Sequence, residues 1–113
     1  MSTLPETDVA RVQRWCRART PDHVRDEVRV ELDVADRHGT IVECRPPWRA
    51  DFGPEWTRSP IARLRYVKVT GLWSLYWRDR RSKFHAYDQV PASATVEDLL
   101  AELDRDPTGI FWG

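Results

Sequence analysis

Residues 62–87, ARLRYVKVTGLWSLYWRDRRSKFHAY, decide the fold. Ala62, Leu64 and Tyr66 alternate with Arg63, Arg65 and Val67, and Trp73, Leu75 and Trp77 alternate with Ser74, Tyr76 and Arg78. Phe84 and Ala86 then alternate with Lys83, His85 and Tyr87. A period of two over short segments rich in aromatic and β-branched residues predicts three half-buried strands. Thr70-Gly71 predicts a tight turn between the first two, and Asp79 to Ser82 a turn between the second and third.

Upstream, Val28, Val30, Leu32 and Val34 alternate with Arg29, Glu31 and Asp33, a fourth strand. A three-residue loop, Arg37-His38-Gly39 with glycine in the left-handed position, then pairs Val34 with Val42 and Leu32 with Cys44. That register keeps the apolar groups on one face and assigns Cys44 to the core.

Both ends read as helix. Thr3 and Glu6 have capping-box spacing, and Val9, Val12, Trp15 and Cys16 recur at helical intervals up to Arg19, before Pro21. Ser93 or Thr95 caps a last helix whose Val96, Leu99, Leu100 and Leu103 make one apolar stripe, ended by Pro107. The expected architecture is a single α+β domain over residues 1–113. It has one five-stranded antiparallel meander sheet, with the N- and C-terminal helices packed on one face.

Two segments stand apart. Residues 46–60, PPWRADFGPEWTRSP, show no regular period, and a loop of that length is either pinned by its rings, Trp48, Phe52 and Trp56, or serves as a lid or partner surface. In the tail TGIFWG, Ile110, Phe111 and Trp112 are costly to leave in water. Either they dock on their own domain, or they form a protein-protein or homo-oligomer contact.

The formal net charge is zero, yet residues 58–87 carry six Arg and two Lys against the single Asp79. Such asymmetry concentrates positive potential on one surface. No apolar run is long enough for a membrane helix, and MSTLPETDVA lacks the layout of an export signal, so no membrane contact and a cytoplasmic location are expected. Cys16 and Cys44 form no CxxC and read as reduced, buried thiols.

The turn lengths above set Arg65 opposite Tyr76 opposite His85, and Arg63 opposite Arg78 opposite Lys83, all pointing away from the helices. Like charges in register repel, so a bound anion gives such rows a reason to exist. Guanidinium groups grip phosphate, and neighbouring rings stack on bases. Arg63, Arg65, Tyr76, Arg78, Lys83, His85 and Tyr87 are thus the candidate ligand-binding residues, and nucleic acid or another polyanion the candidate partner. The plain alternative is a solvated or internally paired face.

An acid-base site would require Asp51 or Glu55 to reach His85 beside the arginines, and a phosphorylated substrate would follow. No catalytic residue is assigned otherwise. Five glycines give no phosphate loop, and His23, His38 and His85 share no metal-ligand spacing, so no cofactor or metal is expected.

RWC (14–16), PWRADFGPEWT (47–57), RSPIARLRY (58–66), LYWRDRRSKFHAYD (75–88) and DRDPTGIFWG (104–113) make the chain resemble domain of unknown function 3024, a family of small bacterial proteins. The resemblance spans nearly the whole chain and implies a free-standing bacterial domain. The family carries no assigned activity, cofactor or catalytic residues, so no site is carried over.

Overall fold

The computed structural model describes residues 4–24, 26–47 and 55–112. Helix α1 (Glu6–Ala18) and a single 3-10 turn (Asp22–Val24) lead into strands β1 (Arg29–Val34), β2 (His38–Arg45), β3 (Thr57–Val67), β4 (Leu72–Arg78) and β5 (Phe84–Ala86), and helix α2 (Val96–Arg105) follows. The five strands form one antiparallel sheet in the order β1-β2-β3-β4-β5, as expected.

One face of the sheet meets both helices. Ile41, Ala62, Leu64, Trp73 and Leu75 pack there against Val12 and Cys16 of α1 and Val96, Leu99, Leu100 and Leu103 of α2. Trp73, almost wholly buried, finds a partner for its one polar atom: Nε1–H donates to the Asp8 carboxylate of α1 at 3.0 Å. Thr20 ties the end of α1 to β1, donating to the Cys16 carbonyl and accepting the Val30 N–H at 2.9 Å. Thr3, read as the first cap, lies outside the described residues; Pro5 occupies the cap position, with no side-chain cap.

Three registers differ from the sequence reading, and the size of each slip decides its consequence. Side chains alternate with period two, so an even slip preserves the face and an odd one reverses it. Between β3 and β4, Val67 rather than Val69 lies opposite Leu72, because a four-residue loop closes with the N–H groups of Thr70 and Gly71 both on the Val67 carbonyl. Gly71 has φ +69°, the left-handed conformation that favours glycine. The slip is two residues, so Arg63 faces Tyr76 and Arg65 faces Ser74 without leaving the open face.

Between β4 and β5 the slip is one. The Asp79 carboxylate accepts the N–H groups of Arg81 and Lys83, the Asp79 N–H donates to the Lys83 carbonyl, and Ser82 takes φ +65°. Arg80 to Ser82 therefore form the loop, with Asp79 inside the hairpin. Arg78 faces Phe84, Trp77 faces His85 and Tyr76 faces Ala86. Phe84 and Ala86 point to the open face; Lys83, His85 and Tyr87 do not.

Between β1 and β2, Val34 lies opposite Gly39 and Leu32 opposite Ile41. Gly39 is a strand residue here, not the left-handed loop position. Leu32 leans over it, and a Cβ there would meet the Leu32 side chain at 2.7 Å. Cys44 is buried, but with Val42 it belongs to the open side, opposite Arg29. Finally, β3 begins at Thr57, inside the stretch read as irregular, and its register on β2 shifts at Ile41/Val42, across from Pro60 and Ile61. Proline has no N–H for the ladder, and a bulge is where a sheet interior tolerates it.

Candidate anion-binding face

The open face of the sheet divides into a region where charge is paired and one where it is not. At the β1 edge, Arg58 is clasped: its Nη1 donates to Glu31 at 2.9 Å, its Nη2 pairs with Asp33, and Nη1 also reaches Cys44 Sγ at 3.5 Å. Those carboxylates hold its guanidinium pKa above the ordinary value. Arg29 stacks on Trp56 at 4.1 Å beside it. Burial and the nearby Glu31 push the Cys44 thiol up, keeping it protonated.

Toward β4 and β5, the described strand residues of this face include no acid. One cross-strand row runs Thr40, Arg63, Tyr76, Ala86, and the next runs His38, Arg65, Ser74. Arg78 and Phe84 complete the surface. Arg63 Nε donates to Thr40 Oγ1 at 3.2 Å, and its guanidinium carbon lies 4.0 Å from the Phe84 ring centroid. Arg78 Nη1 reaches Ser82 Oγ at 3.4 Å. Among the described residues, none of Arg63, Arg65 and Arg78 is ion-paired with a carboxylate. The uncompensated charge is felt locally: burial first, then Arg63 and Arg65, lower the His38 pKa.

Four of the seven residues expected on this surface are there: Arg63, Arg65, Tyr76 and Arg78. The other three are corrected by the β5 register. His85 stacks on Trp77, ring centroids 4.8 Å apart, and its Nε2 bonds Asp79 at 2.6 Å. Lys83 is exposed at the turn on the His85 side of the hairpin. Tyr87 is buried, its hydroxyl donating to Glu102 at 2.7 Å. Phe84, Thr40 and His38 were not legible as site residues, although parity identifies Phe84 once Asp79 is counted into the strand.

The profile of the family described as domain of unknown function (DUF3024) matches residues 1–113. The chain belongs to this family. No curated protein and no solved structure matches it.

Other expectations for this DUF3024 chain resolve as follows. Glu55 lines a cleft with Arg29, Glu31, Cys44, Trp56 and Arg58 at the β1 edge, whereas His85 lies on β5, across the sheet and bonded to Asp79. Glu55 and His85 are not brought together; Asp51, Trp48 and Phe52 lie outside the described residues. Phe111 is buried edge-on against Tyr87 at 5.1 Å, and Trp112 packs on Trp15, with Arg19 4.1 Å over its ring. The Asp106 carboxylate accepts both the Phe111 and Trp112 N–H groups. The tail thus docks on its own chain, leaving Ile110 at 37% exposure. Beside Ile110, at the end of β4, a cleft of about 590 Å³ is walled by Trp77, Arg78, Arg80 and Arg81. Among the described residues, no cluster of His, Cys, Asp and Glu is suited to a metal, and no helix is long and apolar enough to cross a membrane.

Proposed function

We propose that this protein is a noncatalytic binding module for a phosphate-rich ligand of the nucleic-acid class. Arg63, Arg65 and Arg78 hold the backbone, and Tyr76 offers a ring for stacking. One contrast carries the reading. On a single sheet face, Arg58 is neutralised by two carboxylates, while Arg63 and Arg65, further along β3, and Arg78, on β4, are paired with none of the described ones. Clustered guanidinium groups repel one another and gain when an anion bridges them. Aromatic rings among such cations are the composition of a strand-tracking surface, where charge follows phosphate and rings follow bases.

We further place the protein in the bacterial cytoplasm. Cys16 and Cys44, both free and buried, suit a reducing compartment.

The test is titration of labelled oligonucleotides by fluorescence anisotropy across a salt series. Binding weakens steeply with salt, and Arg63→Glu combined with Arg78→Glu abolishes it. Undiminished binding by a folded double variant would sink the reading.

A further inference from the structure

We infer that the ligand is single-stranded, and that one of its nucleotides occupies the cleft at the end of β4, with Arg80 and Arg81 on phosphate and Trp77 and Ile110 against the base. This inference rests on the binding reading above and extends it to a second part of the surface. Three observations carry it.

The first is continuity. Arg78 belongs to both places: it faces Phe84 on the open side of the hairpin and also walls the cleft, so a chain of phosphates crossing Arg63 and Arg78 arrives at Arg80 and Arg81. The second is unspent charge. Asp79 is the acid of this cleft, and its oxygens are already taken by the Arg81 and Lys83 N–H groups and by His85. Neither Arg80 nor Arg81 is ion-paired through its side chain with a described carboxylate. The third is the apolar wall. Ile110 remains 37% exposed in a tail whose next residue, Phe111, is buried, and it stands beside an indole in a recess of about 590 Å³. That volume lies in the range of small-ligand sites, roughly 300 to 1,000 Å³.

Guanidinium groups on one side and an indole with an aliphatic chain on the other match the two halves of a nucleotide. A duplex presents only its backbone to such a recess, because its bases stay stacked inside the helix. An unpaired strand delivers the base as well.

The probes are a 12-nucleotide oligothymidylate, an oligouridylate of equal length and a 12-base-pair DNA duplex. Each is titrated against wild type, Arg80→Ala with Arg81→Ala, and Ile110→Ala. Thermal melts by circular dichroism establish that each variant is folded. The expected result is a preference for one or both single strands over the duplex of about tenfold or more. The double alanine variant lowers the slope of log affinity against log salt by ~1.4, two phosphate contacts at ~0.7 each. Ile110→Ala weakens binding with the slope unchanged. Oligouridylate outbinding oligothymidylate identifies RNA as the strand, and the reverse identifies DNA; both outcomes support the inference. Duplex binding as tight as single-strand binding, or cleft variants that bind like wild type, overturns the inference and leaves the open-face reading standing. Failure of all three probes to bind removes both.

Discussion

The Tyr87 hydroxyl donates to Glu102 at 2.7 Å, joining the residue after β5 to the buried side of α2. Glu102 is only 5% exposed, and its other oxygen is shared with Arg105 at 3.4 Å. Removing the donor strands a buried carboxylate oxygen. Tyr87→Phe is therefore expected to lower stability by about 1–3 kcal/mol in urea unfolding, without altering oligonucleotide affinity of the folded protein. Loss of affinity at unchanged stability would return Tyr87 to the binding surface.

The same pair sets an alkaline limit. Burial first, then Glu102, pushes the Tyr87 phenol from its ordinary 10.0 up to about 12. An acid raised on folding contributes stability in full below its unfolded value and loses it as pH rises toward the folded one. Stability should fall between pH 10 and 12, with tyrosinate absorbance showing a late-titrating phenol at Tyr87. Tyr87→Phe removes both signals.

Phe111 tests whether the tail is part of the core. It is buried, meets Tyr87 edge-on, and its N–H is held by Asp106, a residue with φ +37°. Phe111→Ala should cost about 3–5 kcal/mol, the range for emptying an aromatic core site. Were the tail instead a partner contact, the variant would change the mass measured by light scattering and leave the melt unmoved.

Much of this was legible in the sequence, and what was not traces to hydrogen bonds that periodicity does not encode. Alternation alone sends Leu64, Trp73 and Leu75 inward and Arg63, Arg65 and Arg78 outward, and a two-residue error in the β3–β4 turn leaves that intact. The β4–β5 turn is less forgiving. It holds no glycine; Ser82 takes the left-handed position and the Asp79 side chain captures two backbone N–H groups, shortening the loop by one residue. Apolarity puts Phe84 inside and Lys83, His85 and Tyr87 outside, and the shorter loop reverses all four. The strand character of Thr57 to Pro60 was hidden for a related reason, since a proline argues against a central strand unless a bulge accommodates it.

The reversed hairpin gives the proposed binding face a sharp control. Arg63→Glu and Lys83→Glu change net charge equally, but Arg63 lies on the open face and Lys83 at the turn on the other side. Arg63→Glu should weaken oligonucleotide binding by more than tenfold, whereas Lys83→Glu, at a residue that lines neither the open face nor the cleft at the end of β4, should act only through weak, salt-screened attraction. Equal effects at physiological salt would mean that net charge, and not this face, governs association.

Within the turn, Asp79 provides an acid-side signature. The His85 hydrogen bond first, then the Lys83 and Arg81 N–H groups, hold its carboxyl near 2, against an ordinary 3.8. An acid lowered on folding contributes stability above its unfolded value and loses it as pH falls through the folded one. Between pH 4 and 2 the β4–β5 hairpin should loosen, visible as shifts of the Arg81 and Lys83 amide resonances. Asp79→Asn, which cannot titrate, should flatten that step; an unchanged step would assign it to another carboxyl.

His38 tests the proposed ligand directly. Burial, Arg63 and Arg65 hold its pKa below the ordinary 6.5, so the folded protein releases a proton that the unfolded chain keeps, and stability declines as pH falls through about 6.5. A phosphate bridging Arg63 and Arg65 cancels the repulsion and raises that pKa. Oligonucleotide binding should then take up protons and strengthen as pH falls from 7.5 to 5.5, on the order of tenfold for each unit by which the pKa rises. Titrating the His38 ring resonances with and without oligothymidylate measures the shift directly. Arg65→Gln should raise the free-state pKa and shrink the ligand-induced change. A His38 titration indifferent to saturating oligonucleotide would mean that no anion settles between Arg63 and Arg65.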